Sequence, residues 1–362
     1  MRIAMKTGLA AGRAAVNAAP RTRLSRLVAA SAMLAVSLLH PAHAQVPGKP
    51  PAAGTSWNAV LDAAKKEGQV TLYSALTNPE IERIATGFRK AYPDIRLEFL
   101  RGPSGEQLTK VEQERASGVD GADVLISTEL AWFIDRAKEG RLLRPVGPAL
   151  AAWQPKYIHQ GTAITIGYQP VVIPYNKNLV PVPPKSYLDL LKPEFKGKLG
   201  TTELASTFLI AWYEWLETNN GPDYLKKLRA QNPRLYVGAT PTAQAIASGE
   251  VGVAAFGNTS ATKAMMDKGA PVDFVVPSPA LGVEWMMAVL GWSKRPNAAL
   301  VLAEYVLSRE GQGVWHSRGE TASPLPNIPG SLDASSVSSY DPAAYTPEVV
   351  KKYRDYWSAI FK

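Results

Sequence analysis

Ser260 and Lys263, in the stretch GNTSATKA (257–264), have the spacing that places a lysine amine beside a nucleophilic hydroxyl in serine/lysine acyl-transfer enzymes. Those enzymes need two more elements, a Ser-Asp-Asn type turn and a Lys-Thr-Gly strand. The chain has no Ser-Asp-Asn, and its only Lys-Thr-Gly, Lys6–Gly8, lies in a segment that reads as a targeting peptide. A secreted Ser260/Lys263 hydrolase is therefore kept only as the alternative from another class, and the expectation is a protein that is not an enzyme. Metal chemistry has few ligands to draw on: there is no cysteine, no H-E-x-x-H, and only His159 and His316 lie beyond residue 44. No metal site is expected. No glycine-rich phosphate or dinucleotide loop occurs either, so no cofactor is expected. GPSGE (102–106) is one residue short of the Gly-x-Ser-x-Gly elbow.

What does recur is a short polar residue at the carboxyl end of an apolar run, where a helix pattern begins. Ser74, with Ala75 beside it, follows VTLY; Ser104 and Gly105 follow LEFL; Ser127 and Thr128 follow DVLI. Ser206 and Thr207 open another helix, Thr240 and Thr242 follow LYV, and Asn258 and Thr259 follow VAAF. In open α/β sheets ligands bind at the carboxyl ends of strands, and helix N-termini favour anions. Each residue taken alone also fits a plain N-cap. Six in series imply a polar cleft.

The elements that position these residues follow from periodicity. Residues 1–44 carry six basic residues, no acidic one, an apolar run Leu27–Leu39 and then AHA-Q, the order of a cleavable signal peptide ending at Ala44. Removing it lowers the formal charge from +9 to +3, so the high pI does not speak for nucleic-acid binding. A soluble, exported monomer is expected. Residues 45–56 read as a flexible leader. From 57 onward strands alternate with helices: helix 57–67, strand 69–74, and a helix capped by Asn78 with Pro79 at its first position. Strands DIRLEFL and ADVLIS flank a helix with Ser104 and Gln107 spaced as a capping box. After GYQPVVIPYN (167–176) come helices at about 205–218, 241–250, 259–269 and 297–308, with strands at 234–238, 251–256 and 272–276. The Ser/Pro-rich stretch 317–345 reads as a loop draped over the surface. A final helix, 346–361, presents Val349, Tyr353, Tyr356 and Ile360 on one face. Such βαβ alternation implies an α/β fold with mostly parallel sheet and two Rossmann-like lobes.

The chain resembles the extracellular solute-binding proteins of ABC importers, in the branch that includes ferric-ion carriers. The resemblance rests on VTLYSALTNPEIERIATGFRKAYPDIRLEFLRGPSGEQLTKV (70–111), ADVLIS, GYQPVVIPYNKNLVP (167–181) and PKSYLDLLKPEFKGKLG (184–200), with TPTAQAIASGEVGVAAF (240–256) and KRPNAALVLAEYVLSREGQ (294–312). It implies a type II periplasmic-binding fold whose two lobes, joined by hinge strands, close on a ligand and dock to a membrane permease. Lobe 1 would comprise 57–167 plus about 271–315, and lobe 2 168–270 plus about 316–362. It also implies that the strand-end residues above line the cleft, with Tyr168, Tyr175 and the Glu284–Trp285 pair near it. Glu284 would meet an amino or hydroxyl group, and Trp285 would stack on a ring. Iron-carrying relatives place two adjacent tyrosines directly after an Asn; here those positions are Thr259 and Ser260. Neutral hydroxyls are poor ligands for a hard, highly charged cation. The expected ligand is a small organic anion such as a carboxylate, phosphonate or phosphate ester, with a ferric carrier using a tyrosine-poor site as the alternative.

Overall fold

A computed structural model describes residues 48–335 and 337–362; the targeting segment and its expected cleavage point lie outside them. The first stretch runs α1 (Trp57–Glu67), β1 (Gln69–Ser74), α2 (Asn78–Ala91), β2 (Arg96–Arg101), α3 (Ser104–Ser117), β3 (Val124–Ser127) and α4 (Leu130–Lys138). A long strand, β4 (Ala163–Asn176), leads to β5 (Leu199–Thr202), α5 (Thr207–Asn220), α6 (Tyr224–Ala230), β6 (Arg234–Tyr236) and α7 (Ala239–Ser248). Then come β7 (Val253–Ala254), β8 (Gly257–Asn258), α8 (Thr259–Met266) and β9 (Val272–Val275). A second long strand, β10 (Ala280–Leu290), returns to α9 (Pro296–Leu307) and α10 (Arg309–His316), and α11 (Pro347–Phe361) ends the chain. Among the described residues no helix is long and apolar enough to cross a membrane.

The sheet order is β2-β1-β3-β10-β4-β7-β5-β6. On one side β1 pairs in parallel with β2 and β3, and on the other β5 pairs in parallel with β6 and β7. The two long strands join these halves. β10 runs antiparallel to β3 and to the first part of β4, while the later part of β4 pairs with β8, β9 and β7. β9 pairs with β4 from Val272 to Val275, and β10 then runs alongside β4 and reaches β3 from Met286 onward.

Gln45–Lys362 forms one compact unit, yet its core is divided. One cluster gathers Leu72, Phe88, Val124 and Trp315 around α9; another gathers Ile173, Leu199, Trp212, Tyr213 and Trp357. α9 is buried along its whole length, as expected of a helix that is apolar nearly all round. Its N-terminal N–H groups are met by Glu67, whose Oε2 accepts from Ala298 N at 2.7 Å.

Four local expectations are corrected. The N-cap of α2 is Thr77, not Asn78, and Glu80 completes a capping box: Thr77 N donates to Glu80 Oε2 at 2.9 Å and the hydroxyl does so at 2.6 Å. We expect Thr77→Ala to cost about 1 kcal/mol, read as a lower denaturant midpoint at unchanged m-value. Ser104 and Gln107 form no capping box; α3 is entered through Pro103, and Gln107 Nε2 donates to Ser74 O (3.0 Å) and Leu100 O (2.8 Å), tying β1 to β2. Part of 317–345 is core rather than drape. Glu320 to Ser323 are buried, and Ala322 exchanges backbone hydrogen bonds with Tyr168 at 2.7 and 2.9 Å. A Ser/Pro-rich composition argues against helix, but a strand partner elsewhere can still bury such a segment. In α11 the docked face is Trp357 and Phe361, stacked at 4.9 Å, with Tyr353 and Ile360 packed beside them as expected, whereas Val349 and Tyr356 are exposed.

Candidate functional site

The loops that leave the carboxyl ends of β3 and β5 and the middle of β10 enclose a cavity of about 590 Å³. A smaller one of about 220 Å³ adjoins it, sharing Ser206, Phe208 and Val283 and reaching Gln169, Gly238 and Asn258. A larger cavity of about 710 Å³ lies at the amino-terminal ends of β1 and β3, against Lys66, Asp120 and Lys294. It is at the wrong end of the strands for the loops just described.

Thr128, Ser206, Thr207 and Glu284 line the 590 Å³ cavity, and Asn258 lines its neighbour. Ser104 joins them through its hydroxyl, 3.0 Å from Thr128 Oγ1. Ser206 is the N-cap of α5, its Oγ accepting from Leu209 N at 3.4 Å, and it is still exposed to the cavity. Asn258 caps α8, with Oδ1 accepting from Ala261 N at 2.8 Å. Both residues thus serve a helix on one side and the cavity on the other, because an Asn or Ser N-cap uses only part of its hydrogen-bonding capacity.

The remaining sequence-derived candidates sit elsewhere than on these walls. Ser74 is fully buried and accepts from Leu76 N at 3.2 Å, with Ala75 tied to Ile126 O. Ser127 is fully buried with an unpartnered hydroxyl. Gly105 and Thr240 are exposed. Thr242 is buried and turns back to donate to Gly238 O at 2.8 Å. Thr259 is buried and donates to Glu320 O, stitching α8 to the buried 320–323 segment. Tyr175 packs on the second core cluster opposite Asp273; burial, then that carboxylate, pushes its phenol up. Trp285 belongs to the first core cluster.

Glu284 is held from behind. Thr165 donates its hydroxyl to Glu284 Oε1, and His159 Nε2 lies 2.8 Å from that hydroxyl and 3.9 Å from the carboxylate. Only about 10% of the Glu284 side chain is exposed, and its charge adds to burial in raising the Tyr168 phenol. Wall residues that went unnoticed in the sequence include Glu129, Tyr340 and Arg354. Glu129 directly follows Thr128 and was open to discovery on that ground. Tyr340 and Arg354 carry no local signal, since the segment before α11 and α11 itself reach the cavity only by tertiary packing. Loss of water around Glu129 raises its carboxyl, and burial together with the Glu129 charge raises Tyr340. Ser260 and Lys263 are engaged separately: Ser260 Oγ accepts from Gln169 Nε2 at 2.8 Å, and Lys263 Nζ sits 5.4 Å from the Phe274 ring centroid. Among the described residues, no three or more His, Asp or Glu side chains are grouped to hold a metal ion.

Comparison with known proteins gives the family and the fold. An uncharacterized protein of Haemophilus influenzae is 26% identical over 323 residues, covering 81% of this chain and 86% of its own. A Salmonella typhimurium protein, provisionally named a 2-aminoethylphosphonate-binding periplasmic protein, is 24% identical over 230 residues, 60% of this chain and 66% of its own. The crystal structure of an Agrobacterium tumefaciens ABC-transporter substrate-binding protein superposes with a TM-score of 0.67 at 18% identity, covering 81% of this chain and 94% of that one. It shares the two-lobed type II periplasmic-binding fold. The family model for bacterial extracellular solute-binding proteins matches residues 70–319, which includes both long strands and every helix start on the cavity walls, and the chain belongs to that family.

Proposed function

We propose that this protein is the periplasmic binding component of an ABC importer and captures a small organic anion, a phosphonate, phosphate ester or carboxylate. The observation that carries the reading is the convergence of Thr128, Ser206, Thr207 and Asn258 on adjoining cavities at the carboxyl ends of strands. Their hydroxyl and amide groups, with the N-terminus of α5, supply donors to an anionic group. The name of the Salmonella relative points to the same chemical class. β4 and β10 act as the hinge between lobe 1 (57–167 and about 280–315) and lobe 2 (168–279 and about 316–362). A ligand touching both lobes favours the closed state by its differential affinity, and the closed form is then read by a membrane permease. The chain would work as a monomer, exported by its signal peptide.

A thermal-shift series tests this. At 100-fold excess over Kd, 2-aminoethylphosphonate, glycerol 3-phosphate or another member of the class should add about 2.7 kcal/mol to stability and raise the melting temperature by several degrees. A protein stabilised only by ferric salts, and by none of these anions, would mean the cargo class is wrong.

A further inference from the structure

Three formal charges border the 590 Å³ cavity, and they come from distant parts of the chain: Glu129 at the start of α4, Glu284 in β10 and Arg354 in α11. Among the described residues none is ion-paired with another; His159 Nε2 lies 3.9 Å from the Glu284 carboxylate. Arg354 is exposed and has no hydrogen-bond or ion-pair partner among the described residues. Two carboxylates against one guanidinium make the wall net negative, a poor environment for a ligand that is anionic at every polar end. A purely cationic ligand would instead bring a like charge to Arg354. We infer that the ligand is a small zwitterion, with its ammonium between Glu129 and Glu284 and its acidic group on Arg354 and the Ser206–Thr207 turn; this rests on the cavity being the ligand site proposed above.

The chemistry of each pole agrees. The Thr165 hydroxyl takes up one oxygen of Glu284 and fixes the carboxylate, leaving the rest of its acceptor capacity for an N–H donor. Glu129 has lost part of its hydration with no partner to replace it, which an ammonium would restore. Arg354 offers a planar fork matched to carboxylate or phosphonate oxygens, and it rides on a helix anchored by Trp357 and Phe361. The two poles belong to different parts of the fold, so a ligand must carry both charges to satisfy all three residues at once.

Calorimetric titration with matched pairs tests the inference: phosphoethanolamine against ethyl phosphate, β-alanine against propionate, and 1,4-diaminobutane alone. The expected result is an amine-bearing member binding about tenfold or more tighter than its amine-free partner. Glu284→Gln should shrink that ratio to about threefold or less without weakening the amine-free member. Arg354→Gln should weaken both members about tenfold. Circular-dichroism melts establish that both variants fold. Equal or tighter binding of the amine-free members overturns the zwitterion and leaves the anion reading standing. Tightest binding of 1,4-diaminobutane overturns both. Failure of every anion to bind, with or without an amine, removes the anion reading and this inference with it.

Discussion

Replacing Asp123 by alanine is expected to destabilise the protein by about 3–5 kcal/mol, the range for breaking a buried, hydrogen-bonded ion pair from one side. Asp123 is fully buried at the entrance to β3. It accepts from Arg295 Nε at 2.8 Å, from Thr71 N at 2.7 Å and from Ser293 Oγ at 2.6 Å. Arg295, itself buried, also forks onto Asp120 at 2.7 and 2.8 Å. One carboxylate thus ties β1, β3 and the approach to α9 together, and its loss leaves the Thr71 N–H and the Nε of a buried guanidinium without an acceptor. Calorimetry should show a drop in melting temperature on the order of 10 °C. Asp123→Asn, which keeps an acceptor for Thr71 N, should recover part of it. Asp120→Ala should cost about 1 kcal/mol or less, because Asp120 is half exposed and Asp123 still pairs Arg295. An Asp123→Ala protein that melts within about 2 °C of the parent would show that the network adds little net stability.

The second large effect is a loss of stability on mild acidification, traced to His316. Its ring is fully buried against Trp315, with Nδ1 2.6 Å from Thr321 Oγ1 and Nε2 3.1 Å from Gln312 Oε1. Removal from water, with a smaller push from Arg83, lowers its pKa to about 3. The unfolded chain protonates an ordinary histidine near 6.5. The stabilisation from keeping this imidazole neutral is therefore complete above roughly pH 6.5 and drains away as pH falls towards 3. The limiting slope is about 1.4 kcal/mol per pH unit, so roughly 2 kcal/mol is lost between pH 7 and 5. Urea titrations across that range should show the decline, and His316→Gln should flatten it. Glu80 works the other way: burial raises its carboxyl, so its contribution is largest at low pH and fades as pH rises through its folded pKa. For that reason the difference between parent and His316→Gln isolates the imidazole better than the parent curve does. A parent curve that rises on acidification in step with the variant would refute the assignment.

The candidate site was legible where a local rule coincided with the tertiary outcome. Ser206 and Asn258 were visible because an N-cap residue at a strand end is placed by its own helix, and both prove to be caps that also face a cavity. Thr242 and Ser74 satisfied the same pattern, yet their hydroxyls are consumed by neighbouring backbone. Composition cannot tell a hydroxyl aimed at a cavity from one aimed at its own chain. The one-residue shift in the α2 cap has a similar cause, since Thr77 and Asn78 are both good caps and only Glu80 decides between them.

By itself the sequence did not determine β5, α6, α10 or the full lengths of β4 and β10. It did determine the α/β class, the alternation of strands and helices over most of the chain and the polar residues at helix starts. These follow from period, capping preference and Gly/Pro placement, all of which act over a few residues. The tertiary structure alone decided which strand-end residues share a cavity and that the Ser/Pro-rich stretch carries buried residues 320–323. It also decided that Arg354 from the last helix lines one cavity with Glu129, 225 positions earlier, and Glu284, 70 positions earlier. Contacts at that separation depend on how two core clusters pack along β4 and β10, and no local propensity encodes that packing.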